Sequence, residues 1–211
     1  TDGLVGERDV EPRQLTDPSI DLGSIGNQQF FLFTHPKQLY KAICVVNRGT
    51  KWDKKKDLVA DVSIIGDFDP LRNVRIRDSV KYGIATIIQE RERIIREGFP
   101  GKIYVYITGH SLGGTIGMIL GSLLYDTSTT VFNPGTVWKN TWLNRCPKTE
   151  GCDIKVYRTE HDIVSLGGKN IYGGDTSIKM YVIPSSGTFV RDTLEAHSMN
   201  SFLDKDTLEG I

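Results

Sequence analysis

The sequence predicts an α/β domain, a mostly parallel central sheet flanked by helices. Three observations predict it. Short, nearly all-apolar runs such as Lys41–Val46 and Ile103–Thr108 recur, as expected for strands in a parallel sheet. Stretches with helical period separate some of these runs. The chain has 211 residues, enough for one sizeable core and marginal for two.

The elements follow in order. Residues 1–28 are polar and rich in Gly, Asp and Pro, and are expected to form an arm or irregular cap. Gln29–Phe33 reads as a short strand or docking segment. Lys41–Val46 reads as a strand ending at Asn47-Arg48-Gly49-Thr50. A polar stretch from Lys51 to Asp57 precedes Leu58–Ile65, a strand or extended segment. Residues 66–74 combine turn formers with two large apolar side chains and hold little regular structure.

A helix comes next. Val80, Ile84, Ile87, Ile88, Ile94 and Ile95 repeat at helical spacing, with Arg91 the one charge near that stripe and Asp78 near the start. Gly98-Phe99-Pro100-Gly101 ends it. Ile103–Thr108 is a strand and about Leu112 to Tyr125 a second helix. Val131-Phe132 ends another strand, before the turn Asn133-Pro134-Gly135-Thr136. Ile154–Tyr157 and Lys179–Ile183 complete the sheet. No repeat or linker is visible, so residues 1–211 are expected to form one domain.

Composition narrows the partners. Lys plus Arg equals Asp plus Glu at 26 each, so no net field steers the chain to nucleic acid. No apolar run reaches the length of a transmembrane segment. Lys51, Lys54, Lys55 and Lys56 form a local basic cluster, read either as a solvated loop or as a contact for an anionic membrane surface. No apolar leader follows Thr1, and a removed leader and a trimmed start both fit the missing Met.

Cys44 lies in an apolar run and reads as a buried small hydrophobe. Cys146 and Cys152 bracket a segment that can turn back and join the sulfurs or leave both as thiols. A disulfide there, with the missing Met, would favour a secreted or extracytoplasmic protein. Nothing in the sequence bears on oligomeric state.

The strongest motif is Gly109-His110-Ser111-Leu112-Gly113, a G-x-S-x-G sequence between a strand and a helix pattern. That setting belongs to the nucleophile elbow of the α/β-hydrolase fold. Ser111 projects from a tight turn, and the flanking glycines let strand and helix approach. The alternative is a glycine-rich turn in which Ser111 only caps the helix. A serine nucleophile needs a base. His35 lies too early for the Ser, acid, His chain order of this fold, and His110 adjoins the serine. His197, after the last strand, is the favoured base over His161. Asp162, beyond the strand ending near Tyr157, is the favoured acid over Glu160, Asp175 and Asp192.

These segments resemble the class 3, fungal-type lipases. Val45-Val46-Asn47-Arg48-Gly49-Thr50 with Asp57-Leu58 and Asp61 is similar to that family's oxyanion strand and loop. Gly109–Gly114 is similar to its elbow, and Tyr157-Arg158 through Asp162-Ile163-Val164 to its acid segment. Phe132-Asn133-Pro134-Gly135 resembles a weaker landmark. The likeness spans roughly residues 40 to 200. It implies Ser111, Asp162 and His197 as the triad, with an oxyanion hole from the Leu112 N–H and Thr50. It also implies a lid over Ser63–Asn73, carrying Ile64, Ile65, Phe68 and Leu71. Asn47 stands where the family has an aromatic residue, and the acid-to-histidine segment is short.

The expectation is therefore an ester hydrolase acting on lipids, of triacylglycerol lipase or phospholipase A type, with no metal or organic cofactor. A carboxylesterase of small soluble esters and a catalytically silent interaction module are the alternatives.

Overall fold

The computed structural model describes residues 13–14, 28–35, 37, 39–49, 71, 73–135, 153–160, 162, 164, 178–184 and 197–199. Among the described residues, seven strands form one sheet in chain order: β1 Arg13–Gln14, β2 Gln28–Thr34, β3 Tyr40–Asn47, β4 Lys102–His110, β5 Thr127–Phe132, β6 Asp153–Thr159 and β7 Ile178–Ile183. β1, β2 and β3 pair antiparallel, and β3 through β7 are all parallel. Within the segment expected to be irregular, Arg13 and Gln14 pair with Leu32 and Phe31. The expected Leu58–Ile65 segment lies outside the described residues.

Among the described residues, two helices connect parallel strands, α1 Val74–Arg96 and α2 Leu112–Leu123. α2 packs across β3 to β6, and α1 packs against α2. Phe30 of β2 meets Tyr82 of α1 edge-on. Ile43, Val45, Val105, Ile107, Val131, Ile154 and Val156 are buried on the sheet, and Ile116, Ile119 and Leu120 are buried on α2. Each such side chain contributes about 1.5–3 kcal/mol over its exposed state. This mostly parallel sheet flanked by helices is the core of an α/β-hydrolase fold.

Two expectations change in detail. The parallel strands are not equally buried on both faces: residues alternate between buried and half-buried. The second side of the sheet is mixed, with aromatic rings such as Tyr106, Phe132 and Tyr157 beside Thr130, Asp153 and Lys155. In α1 the buried stripe is Ile76, Val80, Gly83, Ile87, Glu90 and Ile94, while Ile88 and Ile95 are 43% and 65% exposed. A run of four isoleucines in two doublets contains two possible stripes, and only the one on the helical period with Ile76 and Val80 reaches the core. Glu90, not Arg91, is the charge buried along it, bonded to Arg93.

The ends of α1 follow local chemistry. Asn73 caps it, its Oδ1 accepting from the Ile76 N–H at 3.2 Å. Gly98 follows the helix at φ 74°, a conformation that glycine adopts without penalty.

Candidate active site

β4 ends in the sequence that begins α2, and Ser111 is the joint. Its backbone sits at φ 57° and ψ −128°, outside the regions favoured by L-residues. Such a conformation costs about 1–3 kcal/mol and survives only where its surroundings impose it. Here they do. The Ser111 N–H donates to Phe132 O at 3.1 Å, and its carbonyl accepts from the Thr115 N–H at 3.1 Å. A Cβ on Gly109 would stand 2.2 Å from Gly113 O, and one on Gly113 would stand 2.1 Å from Asn47 O. Strand, helix and the end of β3 therefore meet at a distance only glycine allows.

The Ser111 side chain does not cap the helix. Its Oγ is buried and makes no hydrogen bond among the described residues. The first N–H groups of a helix have no intrahelical partners, the Ser111 side chain does not take one here, and the helix dipole adds a positive end. Leu112 is the first residue of α2 and supplies such an N–H.

His197 and Asp162 come together from distant parts of the chain. Asp162 lies just beyond β6, its N–H donating to Thr159 O at 3.4 Å. Its Oδ1 accepts from the Val164 N–H at 3.0 Å and faces His197 Nδ1 at 2.8 Å. Both side chains are 0% exposed. A carboxylate only accepts, so the proton of a neutral His197 sits on Nδ1 and leaves Nε2 as the basic nitrogen. The exposed Glu160 uses its backbone N–H to bond Ile183 O instead. His161, Asp175 and Asp192 lie outside the described residues.

His110 joins the two halves. Its Nε2 lies 2.5 Å from the backbone carbonyl of His197, and the two rings stand 4.8 Å apart. Burial, with His197 beside it, pushes His110 down to about 4. It is thus neutral near pH 7 and donates Nε2–H to that carbonyl. The sequence placed this residue next to the serine but gave it no role.

The end of β3, expected to lead into an oxyanion loop, is described as far as Gly49. Asn47 ends β3, with Nδ2 donating to Thr108 O at 3.0 Å and Oδ1 accepting from Gln28 Nε2 at 2.6 Å. The Arg75 guanidinium donates to the carbonyls of Arg48 and Gly49 at 3.4 and 3.3 Å. Thr50 lies outside the described residues. So do Ile64, Ile65 and Phe68 of the expected lid, the four clustered lysines, Cys146 and Cys152. Leu71 is half-buried and packs against the main core.

On the far side, Asn133 sits at φ 40°. Its Oδ1 accepts from the Thr159 N–H at 2.9 Å, binding the end of β5 to the strand that leads to Asp162. Asparagine tolerates this conformation better than most residues, a signal present in the Asn133-Pro134-Gly135 turn. Cys44 is half-buried, and burial pushes its thiol up to about 11.

No protein-family model and no curated protein matches the sequence. The chain is similar to solved lipase structures. Lip2 lipase from Yarrowia lipolytica is 17% identical, with 83% of this chain and 66% of that one covered and a TM-score of 0.46. A Rhizomucor miehei lipase propeptide complex is 18% identical, with 66% and 46% covered and a TM-score of 0.43. A triacylglycerol lipase from Penicillium expansum is 18% identical, with 86% and 72% covered and a TM-score of 0.46. The chain thus spans about half to two thirds of the first two lipases. What the site can do follows from its own atoms. No described helix is long and apolar enough to cross a membrane.

Proposed function

We propose that this protein is a serine ester hydrolase that cleaves acyl esters of lipids, of triacylglycerol lipase or phospholipase A type. One observation carries the reading. A buried, uncapped serine occupies a strained strand–helix joint, and the residue before it contacts a histidine whose Nδ1 is held by a buried aspartate.

Ser111 Oγ attacks the ester carbonyl while His197 Nε2 takes its proton. The tetrahedral oxygen is held by the Leu112 N–H and by Thr50 through its N–H and hydroxyl. His197 then gives the proton to the leaving alcohol, and the acyl group stays on Ser111. Water, deprotonated by His197, releases the carboxylic acid and restores the serine. Asp162 fixes the tautomer and stabilises the imidazolium. The missing Ser111 hydrogen bond fits a resting site, where catalytic contacts are often loose until substrate arrives.

The lipid part of the proposal rests on the sequence. Ile64, Ile65, Phe68 and Leu71 give the segment before α1 an apolar side suited to a lid. Lys51, Lys54, Lys55 and Lys56 follow the proposed oxyanion residue, where they can meet anionic headgroups.

A fluorophosphonate probe tests the chemistry, with the labelled peptide mapped by mass spectrometry. Labelling at Ser111, its loss in Ser111→Ala and loss of ester hydrolysis in the same folded variant are expected. An unlabelled wild type would leave a silent interaction module. Comparison of dissolved and emulsified ester at equal concentration tests the substrate class. Faster turnover of the aggregated form marks a lipase, and preference for the dissolved form marks a carboxylesterase.

A further inference from the structure

We infer that His110 is a positioning residue, a clamp that ties the main chain of the base to the nucleophile's own turn. The inference rests on the proposed serine chemistry and adds to it a second grip on His197.

Consider what fixes His197 Nε2. Asp162 holds the ring at Nδ1, 2.8 Å away. A ring held at one nitrogen can still swing with its backbone. His110 restrains that motion by holding the His197 carbonyl, through Nε2 at 2.5 Å. The histidine is then held at main chain and ring together, which narrows where the remaining nitrogen can sit. The second pin adjoins Ser111 in sequence, on the same turn, so a shift of the elbow carries the base with it. Productive geometry requires placement within about 0.5 Å, which a shared support achieves more readily than two independent ones.

The chemistry of the pair fits this role. A backbone carbonyl can only accept, so His110 must present N–H at Nε2. Its ring lies tilted at 41° against that of His197, with centroids 4.8 Å apart. Burial and the neighbouring His197 hold His110 down to about 4, so it stays neutral. The positive charge formed during turnover therefore falls on His197, beside Asp162, without a second cation against it.

The test uses His110→Phe and His110→Gln in the full chain. Phenylalanine keeps a ring and removes the donor. Glutamine places an amide N–H near the position of Nε2. With a soluble ester, His110→Phe is expected to lower kcat by about 10–100-fold with KM nearly unchanged, because misplacement of about 1 Å can cost that much. His110→Gln should restore most of the loss. In parallel, NMR of ¹⁵N-histidine-labelled protein follows the His197 Nδ1 proton. Faster exchange in His110→Phe and protection in His110→Gln are expected, and this readout does not depend on Ser111 being a nucleophile. A wild type that fails to react with fluorophosphonate, with the proton still protected through His110, would end the hydrolase reading alone. Should His110→Phe not fold, His110→Asn, too short to reach, replaces it against His110→Gln. Wild-type kcat and exchange in the donor-free variant would overturn the clamp. So would equal impairment of the donor-bearing and donor-free variants.

Discussion

Asp162 Oδ1 accepts two hydrogen bonds at once, from the Val164 N–H at 3.0 Å and from His197 Nδ1 at 2.8 Å, in a site closed to solvent. The first bond sets the carboxylate, and the carboxylate then sets the imidazole. Asp162→Asn tests this shared oxygen. Asparagine either keeps its amide oxygen there, or turns its N–H to the ring, which gives up the Val164 bond and selects the other tautomer, with Nε2 protonated. Hydrolysis of a soluble ester is expected to fall by about 10³–10⁴-fold in kcat with the fold retained. Steady-state kinetics with a circular dichroism melt checks this. A loss below tenfold would show that Asp162 does not select the tautomer.

A second expectation concerns the joint itself. A Cβ on Gly113 would stand 2.1 Å from the Asn47 carbonyl, which is backbone and cannot swing aside. Gly113→Ala must therefore push α2 away from β3, at a cost of about 3 kcal/mol or more. Gly98 is a contrast within the same protein. It has open space around it but φ of 74°, so Gly98→Ala should cost only about 1–2 kcal/mol of backbone strain. Urea unfolding of both variants measures the difference. Equal stabilities would mean that the elbow is not sterically closed.

Much of this arrangement was legible in the sequence, for physical reasons. Strands β2 to β7 follow from apolar runs between glycine-rich or polar punctuation. The strand–helix setting of Ser111 follows from glycines whose spacing suits only a close approach. The pairing of Asp162 with His197 follows chain order in this fold. What the sequence hid depended on three-dimensional neighbours. Ile88 and Ile95 are as apolar as Ile87 and Ile94, and only packing against α2 distinguishes them. His110 carries no local mark of its bond to a carbonyl 87 positions away. Asn47 read as a departure from a resemblance, although its side chain joins β2 and β4.

His110 also makes a pH prediction. An unfolded histidine takes up a proton near its ordinary 6.5, whereas folded His110 does so only at about 4. Between these values the unfolded chain binds more protons, so stability falls as pH drops. This contribution is fully present above about 6.5 and lost through about 4, and at most about 3 kcal/mol is involved. Urea unfolding from pH 7 to pH 4 should show a steeper decline for the wild type than for His110→Gln. Parallel curves would show that His110 titrates normally in the fold.

The last prediction concerns Gln28 and Asn47, buried partners across β2 and β3. Gln28 Nε2 donates to Asn47 Oδ1 at 2.6 Å, and Asn47 Nδ2 donates to Thr108 O at 3.0 Å. Gln28 Oε1 is buried and makes no hydrogen bond among the described residues. The network is therefore only partly satisfied, and a partly satisfied buried network gains little over an apolar pair. Removing one member is worse than removing both, because it leaves the other member's polar groups buried without their partner. Asn47→Leu should cost about 2–3 kcal/mol. Gln28→Leu should cost less, since it removes the unsatisfied Oε1 along with the donor. The double variant should be more stable than Asn47→Leu alone, with a coupling of about 1–2 kcal/mol from urea unfolding. Activity should behave differently. Asn47 sits directly before Arg48-Gly49-Thr50 and ties that strand end to β4, so kcat is expected to stay reduced in the double variant even where stability returns. Additive costs would sink the buried-pair argument, and full recovery of kcat would separate Asn47 from the proposed oxyanion loop.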